Sequence, residues 1–104
     1  MHAIYFFAIS AACSVLIGLL ASCSAPKGAE IFRRERCSEC HSLRGAGGGV
    51  GPVLDSVGRR RTREYIIQQI KDPKAHNPDS AMPSFGHLSE EDINALAEYL
   101  TRQR

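Results

Sequence analysis

No lysine, arginine, aspartate or glutamate stands before Lys27 in this 104-residue chain; all 13 Lys and Arg and all 11 Asp and Glu residues follow Cys23. The opening MHAIYFFAISAACSVLIGLLASC is instead apolar from Ala3 to Leu20. A leader of that kind is a secretory signal or an anchor and stands apart from the folding unit. Cysteine is scarce as well. Of the four present, Cys13 and Cys23 lie in the leader, so Cys37 and Cys40 alone remain and a disulfide framework is excluded. Methionine occurs twice, and outside the initiator only Met82 is left. No stretch alternates apolar and polar residues convincingly at strand period. A net charge of +2 on an exported chain gives no footing for nucleic-acid binding.

The leader stops at Leu20-Ala21-Ser22-Cys23, which resembles the lipobox of bacterial lipoproteins. The resemblance implies that residues 1–22 are removed and that Cys23 is lipidated as the first mature residue. Residues 23–27 then form a short tether and residues 28–104 the folded domain. An uncleaved N-terminal anchor is the alternative. Either way the domain is exported and tethered to a bacterial membrane, facing the periplasm or the cell exterior.

The chain beyond Cys23 is close to the smallest that side chains alone stabilise. A metal or cofactor is therefore expected as a staple. It has to involve Cys37-Ser38-Glu39-Cys40-His41, which contains the only remaining thiols. Structural zinc needs two closely spaced ligand pairs, and His76 and His87 are too far apart to supply the second. A dithiol redox pair belongs at a helix start in a βαβ unit, and no such strands are found. Haem attachment accounts for every residue of the motif. Two thiols in C-x-x-C spacing each form a thioether to a haem vinyl group, and the adjacent His41 ligates the iron.

The second axial donor decides what such a haem does. Met82 lies in KDPKAHNPDSAMPSFG, where Pro73, Pro78 and Pro83 break any regular period, so it does not belong to a periodic core face. A soft thioether there favours ferrous iron. His76 and His87 are the competing donors, read respectively as a loop residue and an exposed flank. Gly47-Gly48-Gly49-Val50-Gly51-Pro52 comes closely after the motif, and a carbonyl near Pro52 is a candidate acceptor for the second N–H of His41.

LSEEDINALAEYLTRQR predicts a C-terminal helix. Ser89 and Asp92 make the start signal, and Ile93, Leu96, Ala97 and Leu100 form one apolar stripe. A second helix is expected from Arg63 to Lys71, after Thr62 and before Asp72-Pro73, with Ile66, Ile67 and Ile70 inward. A third, from about Lys27 to Cys40, offers Ile31 and Phe32 and delivers the haem motif at its end. The fold class is all-α, with about three helices and long loops around one covalent haem.

Taken in order, these parts resemble a class I cytochrome c. Gly28 and Phe32 match the family's first helix, Gly51-Pro52 the turn below the proximal histidine, Met82-Pro83 the distal loop, and Leu96 and Tyr99 the last helix that packs on the first. The resemblance implies a hydrogen bond from His41 to the Pro52 carbonyl. It also implies contact of the haem propionates with Tyr65 and an arginine among Arg59, Arg60 and Arg61; a basic docking surface is the other reading of those arginines. The function implied is one-electron transfer through a single His41/Met82-ligated haem c, with membrane complexes or periplasmic redox proteins as partners and no enzymatic step. A haem sensor with displaceable Met82, or a fixed haem subunit of a respiratory complex, are the other readings.

Overall fold

Helix α1 (Lys27–Arg34) starts after Pro26 and carries Glu30 in its first turn and Arg33 and Arg34 in its last, charges that complement the helix dipole. The computed structural model describes residues 25–104; the leader, Cys23 and the cleavage point expected before it lie outside the described residues, and Lys27, expected in the tether, is the first residue of α1. The sequence pattern runs α1 on to Cys40, but the helix ends six residues earlier. Arg36 turns left-handed, at φ 61°, and the chain re-enters as a single 3-10 turn over Cys37–Glu39. The i−4 ladder cannot pass through a left-handed residue, so the motif is carried at an angle to α1 rather than on it.

Two-residue strands β1 (Ser42–Leu43) and β2 (Ala46–Gly47) pair antiparallel around Arg44 and Gly45, both at positive φ. The sequence pattern does not predict this small hairpin; its order comes from the primed-type turn rather than from strand patterning. Helix α2 (Val57–Arg60) is one turn. Helix α3 (Arg63–Lys71) has the expected bounds, with the Thr62 hydroxyl accepting from the Tyr65 N–H at 3.1 Å. Helix α4 (Pro73–His76) lies in the segment read as irregular: Pro73 sits at its first turn, where the missing N–H costs nothing. Helix α5 (Glu90–Thr101) is capped by Ser89, whose hydroxyl accepts from the Asp92 N–H at 3.1 Å.

The core joins Ile31 and Phe32 of α1, Ile66 and Ile70 of α3, and Ile93, Leu96, Ala97 and Leu100 of α5, all buried. Each such side chain contributes roughly 1.5–3 kcal/mol. Ile67, expected inside, is only partly buried. The close crossing of α1 over α5 depends on Gly28: a Cβ there would stand 2.4 Å from the Tyr99 Cβ and 2.3 Å from the Ala95 carbonyl. One turn along, the Phe32 and Tyr99 rings meet at 6.0 Å, tilted by 58°. The structure is therefore all-α apart from the hairpin, as the sequence indicates.

Gln103 is the one buried polar side chain among the described residues, and it closes the far end. It donates to the Tyr99 carbonyl at 2.8 Å and accepts from Arg44 at 3.0 Å, while its own carbonyl takes the Gly58 N–H at 2.9 Å. The loop after the motif, α2 and the end of α5 are thereby joined.

Candidate haem site

The left-handed Arg36 and the 3-10 turn set the geometry of the motif. His41 N–H bonds to the Cys37 carbonyl at 3.0 Å, folding the segment so that its side chains share one edge of a cleft. The glycine-rich loop then wraps the motif: Gly48 N–H donates to the Ser38 carbonyl at 2.9 Å and Gly51 N–H to the Cys40 carbonyl at 2.8 Å. Gly47, at φ 120°, passes so close that a Cβ would fall 2.2 Å from the His41 carbonyl.

His41 is held from two directions. Its Nδ1–H donates to the Pro52 carbonyl at 2.7 Å, and Gly51 lies against the ring, with a Cβ position 2.5 Å from Cε1. Because a carbonyl only accepts, Nδ1 carries a hydrogen, and in the uncharged ring that leaves the lone pair on Nε2.

The cleft has a volume of about 670 Å³, is lined mainly by apolar side chains, and contains Cys37, Cys40, His41, Pro52, Arg60, Arg61, Tyr65 and Met82 together. Ile66, Ile70, Leu96 and Leu100 form part of its lining, so the hydrophobic core continues into it. His76 lines it too, at the end of α4 rather than in an irregular loop; its ring stacks on Tyr65 at 3.9 Å. His87 does not line it and lies 6.2 Å from the Phe85 ring.

The arginines separate. Arg60 donates to the Val53 and Asp55 carbonyls at 2.7 and 3.3 Å, and Arg61 lies 4.4 Å above the Tyr65 ring. Arg59 faces a second, basic cleft of about 490 Å³ with Arg63 and Arg104, and Arg60 and Arg61 border both.

The donor set fits iron already held in a macrocycle. Among the described residues no three His, Cys, Asp or Glu side chains converge to hold a bare metal ion. The cleft offers instead the imidazoles of His41 and His76, one thioether and two thiols in an apolar space whose size lies within the roughly 300–1,000 Å³ of clefts that engulf a small-molecule ligand. Burial pushes the half-buried Cys37 thiol up to about 11, with the Glu35 carboxylate adding to the effect. A dithiol redox centre works through a lowered thiol pKa, and the shift at Cys37 runs the opposite way.

The family model described as cytochrome c oxidase, cbb3-type, subunit III matches residues 24–100. The chain belongs to this family of c-type cytochromes. Relatives include cytochrome c oxidase subunit 2 of Alkalihalophilus pseudofirmus, 31% identical across 73% of this chain and 25% of that protein. A nitric oxide reductase subunit of Stutzerimonas stutzeri is 32% identical across 71% of this chain and 54% of that protein. The chain thus spans about a quarter and about half of these relatives. As a c-type cytochrome it carries haem c covalently and works in electron transfer. No helix among the described residues of this cytochrome is long and apolar enough to cross a membrane.

One participant in the cleft carries no sequence signal. Gln69 donates from Nε2 to the Met82 sulfur at 3.5 Å and contacts His76 Nδ1 through Oε1 at 2.7 Å. Its only hint is position, one helical turn after Tyr65 on α3.

Proposed function

We propose that this cytochrome is a membrane-tethered carrier of single electrons between respiratory or periplasmic redox partners, with one haem c attached to Cys37 and Cys40 and its iron ligated by His41 and Met82. The observation that carries this reading is the convergence of two complementary donors on one apolar cleft. His41 has its Nδ1–H committed to Pro52, and Met82 is the only thioether among the described residues. When bound, haem supplies a one-electron couple. The protein's own groups do the rest. The Pro52 carbonyl fixes the His41 tautomer and keeps its Nε2 aimed as a donor. The Met82 thioether, a soft ligand, favours the ferrous state and raises the potential. Ile66, Ile70, Leu96 and Leu100 exclude water, which limits reorganisation when the charge changes. Arg60, Arg61 and the Tyr65 hydroxyl at the cleft supply positive charge and a donor for the propionates.

With His41 and Met82 both holding the iron there would be no open site for a substrate, which is why the reading is a carrier and not a catalyst. The cytochrome matured in a host that attaches haem c is expected to have a weak near-infrared sulfur-to-iron band in the ferric form. Met82→Ala should abolish the band and lower the potential. A band that persists in the variant would refute Met82 ligation.

A fixed subunit of a larger complex is the second reading, favoured by the names of the relatives, both of which are subunits. In either case the lipobox-like Leu20–Cys23 supports export, removal of residues 1–22 and attachment through lipidated Cys23, with a tether that ends where α1 begins at Lys27 and the haem domain from there to residue 104.

A further inference from the structure

The cations of this cytochrome are held in two different ways. Lys27, Arg34, Arg36, Lys71 and Arg102 each pair with a carboxylate. Among the described residues Arg60, Arg61 and Arg63 meet only uncharged groups. Arg60 donates to the Val53 and Asp55 carbonyls at 2.7 and 3.3 Å, Arg63 donates to the Asn94 side-chain oxygen at 2.7 Å, and Arg61 lies over the Tyr65 ring. Each guanidinium is thereby placed without being neutralised. All three line the cleft of about 490 Å³ with Arg59 and Arg104, and no Asp, Glu or Lys side chain lines it. Gly58 makes this cleft possible. Its N–H donates to the Gln103 carbonyl at 2.9 Å, and a Cβ there would collide with the Thr101 carbonyl. That close seat of α2 on the end of α5 brings residues 59–63 beside Thr101 and Arg104. The concavity is a product of backbone packing, not of surface side chains alone.

We propose that the arginine cleft is a binding site for a phosphate-bearing anion, and that an anion bound there lowers the potential of the haem through Arg60 and Arg61, which border both clefts. A concave surface lined by one sign of charge concentrates the opposite ion. The arginines narrow the ligand class further, because a guanidinium is a planar fork that takes two oxygens at once. A carboxylate has two oxygens in one plane and satisfies one fork. A phosphate offers oxygens in several directions and can engage several forks around a cleft. The volume admits a diphosphate or a phosphorylated headgroup, so a phospholipid at the membrane face and a dissolved phosphate present the same chemistry. Positive charge beside a haem disfavours its ferric form, and an anion next to Arg60 and Arg61 offsets that charge. The site itself does not depend on the haem; the coupling rests on the reading of the haem cleft.

The test uses the haem-loaded protein released in non-ionic detergent, at an ionic strength fixed with chloride so that general screening is constant. One arm is titrated with diphosphate and the other with dihexanoyl phosphatidylglycerol. Both are read by the NMR signals of the arginine Nε–H groups and by the reduction potential. Wild type is expected to bind saturably in at least one arm, which names the source, with the Arg59 and Arg63 signals shifted and the potential lowered. Replacing Arg59 and Arg63 together by Gln should weaken binding about 100-fold, at roughly tenfold for each charge-assisted hydrogen bond. Gly58→Ala keeps every charge but parts the walls, so it should weaken binding too; if it does not fold, the double variant carries the test. Arg33→Gln, exposed on α1 and outside the cleft, should leave binding unchanged. An equal loss in Arg33→Gln, or no saturation in either arm, overturns the site. Saturable binding at an unchanged potential overturns the coupling and leaves the site standing. None of these outcomes turns on which residues ligate the iron, so a failure of Met82 ligation is read separately, in the near-infrared band.

Discussion

An imidazole serves as a ligand through whichever nitrogen its surroundings leave free. Here that choice is made by two small features, the Pro52 carbonyl at 2.7 Å from Nδ1 and the missing side chain of Gly51. Gly51 has no need of unusual backbone freedom; what it supplies is space. A methyl group there would lie 2.5 Å from Cε1 and 2.8 Å from Nδ1, so the ring or the loop must move. Gly51→Ala is expected to destabilise the domain by about 1–3 kcal/mol, and Gly51→Val by more. Thermal unfolding measures the cost, and loss of the hydrogen-bonded Nδ1–H resonance of His41 would report the displaced ring. At this scale the C-x-x-C-H motif stands out in the sequence because its pattern is local, contained within five residues. Gln69 could not, since a glutamine on a helix has no meaning until Met82 and His76 arrive from other elements.

Helix boundaries were legible wherever capping chemistry marks them. Thr62 and Asp72-Pro73 bracket α3, and Ser89 opens α5. The end of α1 was not, because a left-handed arginine is an uncommon conformation with no residue code of its own. Nor was α4, because proline marks a helix start as readily as a break. Between elements, α1 and α5 are joined by charge as well as by packing. Asp92 on α5 accepts from Arg34 at 3.0 Å and pairs with Lys27 at 3.2 Å, so one carboxylate binds residues at both ends of α1. Arg34 first, then Lys27, hold the Asp92 carboxyl below the usual carboxylate range, while Glu91 first, then Asp92, raise Lys27. A depressed folded pKa gives stabilisation that is complete above the unfolded value, about 3.9, and is lost as pH falls through the folded one. Asp92→Asn is expected to lower the unfolding midpoint at neutral pH and to flatten its fall below about pH 4. Denaturation curves at several pH values check both. The contribution should shrink in high salt, because these groups are near the surface.

For the whole molecule the question is how far the haem domain can travel from a membrane. Between Cys23 and the start of α1 at Lys27 the chain spans about 10–15 Å even when extended. That is shorter than the domain itself, so a lipidated Cys23 would confine the cleft to a layer at the membrane face. Partners would then be met by rotation and lateral diffusion within that layer. Lipid attachment through several acyl chains is not reversed by ionic strength, whereas electrostatic adsorption is. The haem-loaded protein is therefore expected in the membrane fraction, resistant to high salt and released by detergent. Cys23→Ser should appear as an unprocessed precursor or in the soluble fraction. Detergent-released protein that migrates alone would mark a free carrier, and migration in fixed stoichiometry with larger haem proteins would mark a subunit. Wild-type protein recovered mainly in the soluble fraction, with a mass showing no lipid on Cys23, would remove the tether from the proposal and leave a cytochrome that reaches its partners by free diffusion.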